Sequence, residues 1–228
     1  MTLEVNDFIC SAQMQHDHLG KIRGSCSCFS YKFTSGIYFI TGEFDVGAWA
    51  FAYSLAEHAD TYVNCKSIIL NGNPVELADV RMEAFHVGQY AHYGKESFAS
   101  VIAKAARESG YMYPYNEMFK NLGWADVNEE TARWRMDCVN SKIWYISPLI
   151  GLTLKKRIFV FPWLSKINYT SCYFQTAFDY LIEEDVIVLV PCSEKIQFPT
   201  GDKYNVVRMA SLLDLFIQQG IDFEKDHH

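Results

Sequence analysis

The stretch Gly36 to Leu55, GIYFITGEFDVGAWAFAYSL, constrains this chain more than any other. Ile37-Tyr38-Phe39-Ile40-Thr41 is apolar, β-branched and aromatic, which predicts a short buried strand. Gly42 follows, then four residues, Gly47, and an apolar run that predicts a helix over Ala48 to Ala59. Strand, Gly-x-x-x-x-Gly and helix in that order form the frame of a phosphate-binding loop. A working loop continues with Lys, which neutralises phosphate oxygens, and with Ser or Thr, whose hydroxyl ligates Mg²⁺. Here those places hold Ala48 and Trp49. Glu43 and Asp45 add negative charge where a polyphosphate needs amides and cations. The frame is present without its chemistry. The same spacing suits a plain strand–turn–helix, so its weight depends on the rest of the chain.

The 228 residues are 50% hydrophobic and 15% aromatic, enough for one substantial core or a core with a small subdomain. A net charge of −7 leaves no basic footprint, so nucleic acid is not an expected partner. No apolar run reaches the roughly 18 residues that cross a bilayer, and MTLEVNDF lacks a secretory pattern. A soluble, cytoplasmic protein is expected. The cysteines (Cys10, Cys26, Cys28, Cys65, Cys138, Cys172 and Cys192) include no Cys-x-x-Cys pair and read as buried free thiols. Cys26 and Cys28, two apart in a strand-like run, are expected to share one face and pack as small apolar groups. His16 and His18 lie in a polar stretch near Cys10 and read as solvated, so no metal is expected.

In order, Leu3 to Ile9 predicts a strand and Ser11 to Lys21 a polar loop. Gly24 to Phe33 alternates as a second strand, turned by Thr34-Ser35-Gly36 into the strand before the glycine loop. This start predicts an antiparallel sheet beside a parallel core. Ser67-Ile68-Ile69-Leu70-Asn71-Gly72-Asn73-Pro74-Val75 is a hairpin closed by Asn-Gly. A strand over Ala84 to Val87 ends at Gly88-Gln89-Tyr90. Phe98 to Arg107 and Tyr115 to Leu122 have helical periodicity, and a capped segment runs from Asp126 to Thr131. Ile158 to Phe161 is a β run. A helix over Ser171 to Glu183, a strand over Asp185 to Val190 and an amphipathic helix over Met209 to Gln219 complete the chain.

From Leu3 to Ile217 this order of pieces resembles the ATP-binding cassette domain of ABC transporters. The resemblance implies an α/β, P-loop NTPase-like cassette: a mixed sheet core with an antiparallel β subdomain and an inserted helical subdomain. Residues 1–228 then form a single domain, with the helical insertion at about 91–143. The "ILNGNPV" hairpin stands where the family has one after its first helix. Gln89 falls at the Q-loop glutamine, which in the family helps bind Mg²⁺ and couples the ATPase to the membrane subunit. "MFKNLGWADVNEETARWRMDCVNSK" resembles the helical subdomain leading to the Leu-Ser-Gly-Gly-Gln signature. Val139-Asn140-Ser141-Lys142-Ile143 occupies the signature's place, where Ser141 alone keeps any of its chemistry. Lys142 lacks the close backbone approach of a glycine. Pro162 and Trp163 stand where the Walker B strand would end in Asp-Glu, and Cys192, after Pro191, stands at the switch histidine.

The resemblance therefore implies a catalytically inactive subunit with a vestigial site. Such a subunit would dock on a multi-span permease and/or pair with an intact or identical cassette subunit, peripheral on the inner face of the membrane. ATP and Mg²⁺ are not expected cofactors. Trp49 is expected to place a large side chain where the metal-bound hydroxyl would stand, and Phe8 and His16 are the nearest candidates to stack on adenine, Tyr31 lying in the wrong strand. Other readings stay open. One is a stand-alone, non-hydrolytic interaction or immunity-type protein on this fold; another is a cassette ATPase with weak residual nucleotide binding. A third is thiol–imidazole chemistry among Cys138, Cys172, Cys192, His58, His86 and His92, which no local pattern connects. Trp124, Trp134, Trp144 and Tyr145 suit either a partner-facing surface or a small core. His227 and His228 are native or the remains of a tag.

Overall fold

The computed structural model describes residues 1–16, 20–42, 47–56, 61–88, 94–110, 129–138, 143–163, 172–193, 199 and 201–209. It begins with a long antiparallel hairpin, β1 (Thr2–His16) on β2 (Gly20–Thr34). The strand expected to stop at Ile9 thus continues to His16, and much of the expected polar loop belongs to the hairpin. Exposed Ser11 alternates with buried Cys10 and Ala12, and a sheet with one wet face reads locally like a loop.

Two bulges offset one another in this hairpin. The pairs run Val5↔Tyr31, Phe8↔Phe29 and Cys10↔Cys26, so β1 carries one extra residue and β2 then carries another. Positive φ values mark both sites, 48° at Asp7 and 54° at Cys28. Each bulge flips the side-chain phase of its own strand: the first lets Val5 and Phe8 both face the core, and the second does the same for Phe29 and Cys26. Cys28 is exposed while Cys26 is buried, so the two cysteines do not share a face as expected.

The remaining elements follow in order: β3 (Gly36–Thr41), α1 (Ala48–Ala56), β4 (Thr61–Asn64), β5 (Ser67–Leu70), β6 (Asn73–Val75), α2 (Leu77–Glu83), β7 (Ala84–His86) and α3 (Phe98–Glu108). Then come α4 (Glu129–Arg133), a 3₁₀ turn (Met136–Cys138), α5 (Ile143–Thr153), β8 (Ile158–Val160), α6 (Cys172–Glu183), β9 (Ile187–Cys192) and β10 (Tyr204–Arg208). One sheet is antiparallel, ordered β2-β1-β5-β6, with β4 also on β1. The other is parallel throughout, ordered β10-β3-β9-β8-β7. Asn71 and Gly72 close the β5–β6 hairpin with φ of 52° and 82°, the two positive values an Asn-Gly hairpin turn requires. The predicted helices over Tyr115 to Leu122 and beyond Met209 lie outside the described residues.

Alternation along the parallel strands separates two cores. Ile37 and Phe39 of β3, with Val188, Val190 and Cys192 of β9, face α3, α5 and α6. Tyr38 and Ile40, with Ile187 and Leu189, face α1 and the antiparallel sheet. Strands covered on both faces read as unbroken apolar runs, as these do. Helix α1 is clamped between the sheets and buries Ala48, Trp49, Ala50, Phe51, Ala52, Ser54 and Leu55. On the far face α5 lies close because Gly151 has no side chain. A Cβ there would come within 2.5 Å of Phe159 and 2.8 Å of Phe85.

Candidate functional site

Ligands of parallel α/β sheets bind beyond the carboxyl ends of the strands. Backbone hydrogen bonds align those ends here. Gly42 N–H donates to the Cys192 carbonyl at 3.2 Å, Phe161 N–H to Leu189 at 2.9 Å, Val87 N–H to Val160 at 2.8 Å, and Met209 N–H to Thr41 at 2.9 Å. One edge therefore collects Gly42, Cys192, the Phe161-Pro162-Trp163 exit of β8 and the Val87-Gly88 exit of β7. Glu43, Asp45, Gln89, Asn140, Ser141 and Lys142 lie outside the described residues.

The head of α1 is packed tightly. Gly47 has φ of 91°, and a Cβ there would stand 2.0 Å from the Ser25 carbonyl oxygen and 2.8 Å from Cys26 Cα. Glycine is required both by the conformation and by the approach of β2. Ala48 and Trp49 are buried. The Trp49 indole lies over Gly24 of β2, where a Cβ would meet its ring carbons at 2.6 Å, and it meets the Tyr53 ring edge-on at 6.2 Å. The indole expected to stand in the hydroxyl's place is thus directed at the antiparallel sheet.

At the β8 exit Phe161 is buried, and Pro162 and half-buried Trp163 follow it. Trp163 packs on the core around α1, whereas Cys192 is buried in the opposite core. The edge thus carries apolar groups and one buried thiol at the places the resemblance marks for a lysine, a hydroxyl, two carboxylates and a histidine. Ala48, Trp49, Pro162, Trp163 and Cys192 do not fit a magnesium nucleotide. Among the described residues, no group of three or more His, Cys, Asp or Glu side chains could hold a metal. Phe8 offers adenine no face either, since it is wholly buried and edge-on to Phe51 at 5.2 Å. Tyr31 stacks on Phe29, and the His16 side chain lies outside the described residues.

One contact was not foreseen. Gly88, with φ of 96°, donates its N–H to Ser147 Oγ at 2.8 Å, and a Cβ there would stand 3.2 Å from the Trp144 ring. Ser147 is buried on α5 and ties the β7 exit to that helix. The signal was Ser147, a small hydroxyl in the middle of the apolar run IWYISPLIGLT. Trp144 stacks on Phe174 at 5.5 Å, Tyr145 packs on Tyr180 at 6.1 Å, and Trp134 covers the same core. These three fill the interior, and Trp124 lies outside the described residues.

No protein-family model matches the chain, and no curated protein matches it. Solved structures do. A putative ABC transporter ATP-binding protein from Pyrococcus furiosus superposes with a TM-score of 0.59 at 14% identity, over 91% of this chain and 98% of that one. The cbiO1 protein of Clostridium perfringens, part of the cbiONQ transporter complex, gives 0.55 at 12% identity over 97% and 95%. A bacterial Atm1-family ABC exporter with ATP bound gives 0.55 at 14% identity, over 96% of this chain and 40% of that one. At such identities the likeness is one of fold, and the chain has the α/β fold of an ABC-transporter ATP-binding cassette.

Proposed function

We propose that this protein is a non-hydrolysing, cassette-like subunit of a transport complex. It docks on a multi-span permease at the inner membrane face and pairs with an intact cassette subunit or a second copy of itself. The observation that carries the reading is the chemistry at the parallel sheet's carboxyl edge. Ala48 and Trp49 are closed into a core, Pro162 and Trp163 leave β8 without a carboxylate, and Cys192 is buried. Phosphoryl transfer depends on positioned cations and carboxylates acting on developing charge, and these residues supply neither. Two relatives of the fold are described as parts of transporters, which supports the choice of partner. Among the described residues no helix is long and apolar enough to cross a membrane, consistent with a separate membrane subunit.

Two measurements test the proposal. Titration calorimetry with Mg-ATP is expected to show no saturable heat, and phosphate release no turnover above buffer. Affinity capture from gently solubilised native membranes is expected to recover a multi-span protein. Magnesium-dependent turnover overturns the inactive reading. Recovery of the protein alone from the soluble fraction moves it to a stand-alone interaction role on the same fold.

A further inference from the structure

Cys10 and Cys26 stand directly opposite each other in the β1–β2 hairpin, both turned into the core and only 1% and 2% exposed. Opposed residues of antiparallel strands have Cα atoms about 4.5–5.5 Å apart, inside the window a disulfide spans. The Cys26 thiol lies 3.7 Å from the Phe8 carbonyl oxygen on one side and against the Cys10 thiol on the other. Ser54 Oγ, wholly buried and without a hydrogen bond of ordinary geometry, faces the Cys10 sulfur from α1. Hydrogen bonding from Cys26, helped by Ser54, holds the Cys10 thiol below its usual range despite burial. The same pairing, with burial, pushes Cys26 up. The opposed register, not acidity, is what places the two sulfurs to join across the hairpin.

We propose that Cys10 and Cys26 form a peroxide-responsive dithiol that closes to a reversible disulfide across the hairpin. The Cys10 thiolate attacks one peroxide oxygen and the O–O bond breaks. The departing hydroxide leaves as water with the thiol's proton, and Cys10 is left as a sulfenic acid. The Cys26 sulfur then attacks the Cys10 sulfur, the S–O bond breaks, and a second water leaves carrying the Cys26 proton. The two thiols lose two electrons and the peroxide gains two. Cys28 is not the partner, because it stands across a bulge, exposed, with Sγ 3.9 Å from the Asp7 carboxylate.

Closure pulls the strands together. Opposed Cβ atoms lie about 4.5–5.5 Å apart, against roughly 3.8 Å across a disulfide, and such strain makes the bond readily reducible. The backbone it moves, Ser25–Cys26, is the surface on which Gly47 rests at the head of α1. Oxidation is thereby transmitted to Gly47 and the start of α1. This inference does not rest on the transport role.

The reduced full-length protein is treated with hydrogen peroxide, alkylated under denaturing conditions and mapped by mass spectrometry. The expected product joins the Cys10 and Cys26 peptides, about 2 Da lighter than the pair of thiols and restored by dithiothreitol. Cys28→Ser leaves the bond intact, and Cys26→Ala abolishes it. Amide exchange at Gly47 changes about threefold or more on oxidation of the wild type. Finding Cys10 and Cys26 both alkylated once Cys28 is fully oxidised overturns the proposal, as does a Cys26–Cys28 link. Unchanged exchange at Gly47 in the disulfide form overturns the transmission to α1. All three overturning results are read in wild type, so a misfolded variant leaves the test intact.

Discussion

Replacing Trp49 by alanine tests the packing that closes the loop's first helix. The indole is 2% exposed and lies on Gly24, with Tyr53 at its edge. A buried aromatic removes about 150–250 Å² from water, worth about 4–6 kcal/mol at 25 cal/mol/Å² as an upper bound. Large-to-small core replacements of Trp or Phe lose about 3–5 kcal/mol, and we expect that range for Trp49→Ala. Gly24→Ala, which drives a methyl to 2.6 Å from the ring, is expected to lose about 1–3 kcal/mol by overpacking. In the double variant the new methyl enters the space the indole leaves. The combined loss should therefore fall short of the sum by about 1–3 kcal/mol, a coupling that distant sites do not show. Urea unfolding followed by far-ultraviolet circular dichroism measures all four corners, with constant m values confirming that one transition is compared. Additive losses, or a loss under about 1 kcal/mol for Trp49→Ala, would mean the indole does not rest on Gly24.

Gly47→Ala is expected to destabilise by about 3 kcal/mol or more, because a positive φ and a backbone collision at 2.0 Å act together; a melting temperature unchanged from wild type would refute it. Ser147→Ala strips the Gly88 N–H of its partner and is expected to lose about 1–3 kcal/mol, with faster hydrogen exchange at the Gly88 amide as the specific readout. Asp185 is held below the ordinary carboxylate range first by the Met1 ammonium and then by Ser35, with Arg157 adding to it. A depressed folded value contributes stability above the unfolded pKa, about 4, that is lost as pH falls through the folded value. Asp185→Asn should therefore lower the melting temperature at pH 7 and narrow its fall between pH 7 and pH 3. An equal fall in both proteins would refute this.

How legible each element was depended on how far away its cause lay. β3, β8 and most of β9 are short apolar runs bounded by turns, and the β5–β6 hairpin announces itself through Asn71-Gly72. In each the deciding residues are neighbours. β10 is different, since Tyr204–Arg208 becomes a strand by pairing in parallel with Ile37 to Thr41 at the other end of the chain. β4 has four residues of alternating exposure and exists by pairing with Ile9 to Ala12. In β1 and β2 the inward phase is interrupted near Asp7 and again near Cys28. One interruption alone looks like the end of a strand, and the two make sense only when the strands are laid together. A one-strand periodicity argument therefore shortened β1 and put Cys26 and Cys28 on one face.

The site shows the same divide between occupancy and direction. Sequence spacing can say that Trp49 stands two residues beyond Gly47. It cannot say where the indole points, because the room for it is made by a missing side chain at Gly24 on another strand. Two readings of the same letters then differ physically. An indole turned to the strand ends would block a ligand that a smaller residue would readmit. An indole turned to β2 is part of the core, so removing it opens space beneath the hairpin and supplies no hydroxyl to the carboxyl edge. Trp49→Ser should accordingly lose about as much stability as Trp49→Ala and still give no saturable Mg-ATP heat. Gain of nucleotide binding by that variant would place the indole at the ligand's position and reverse the argument.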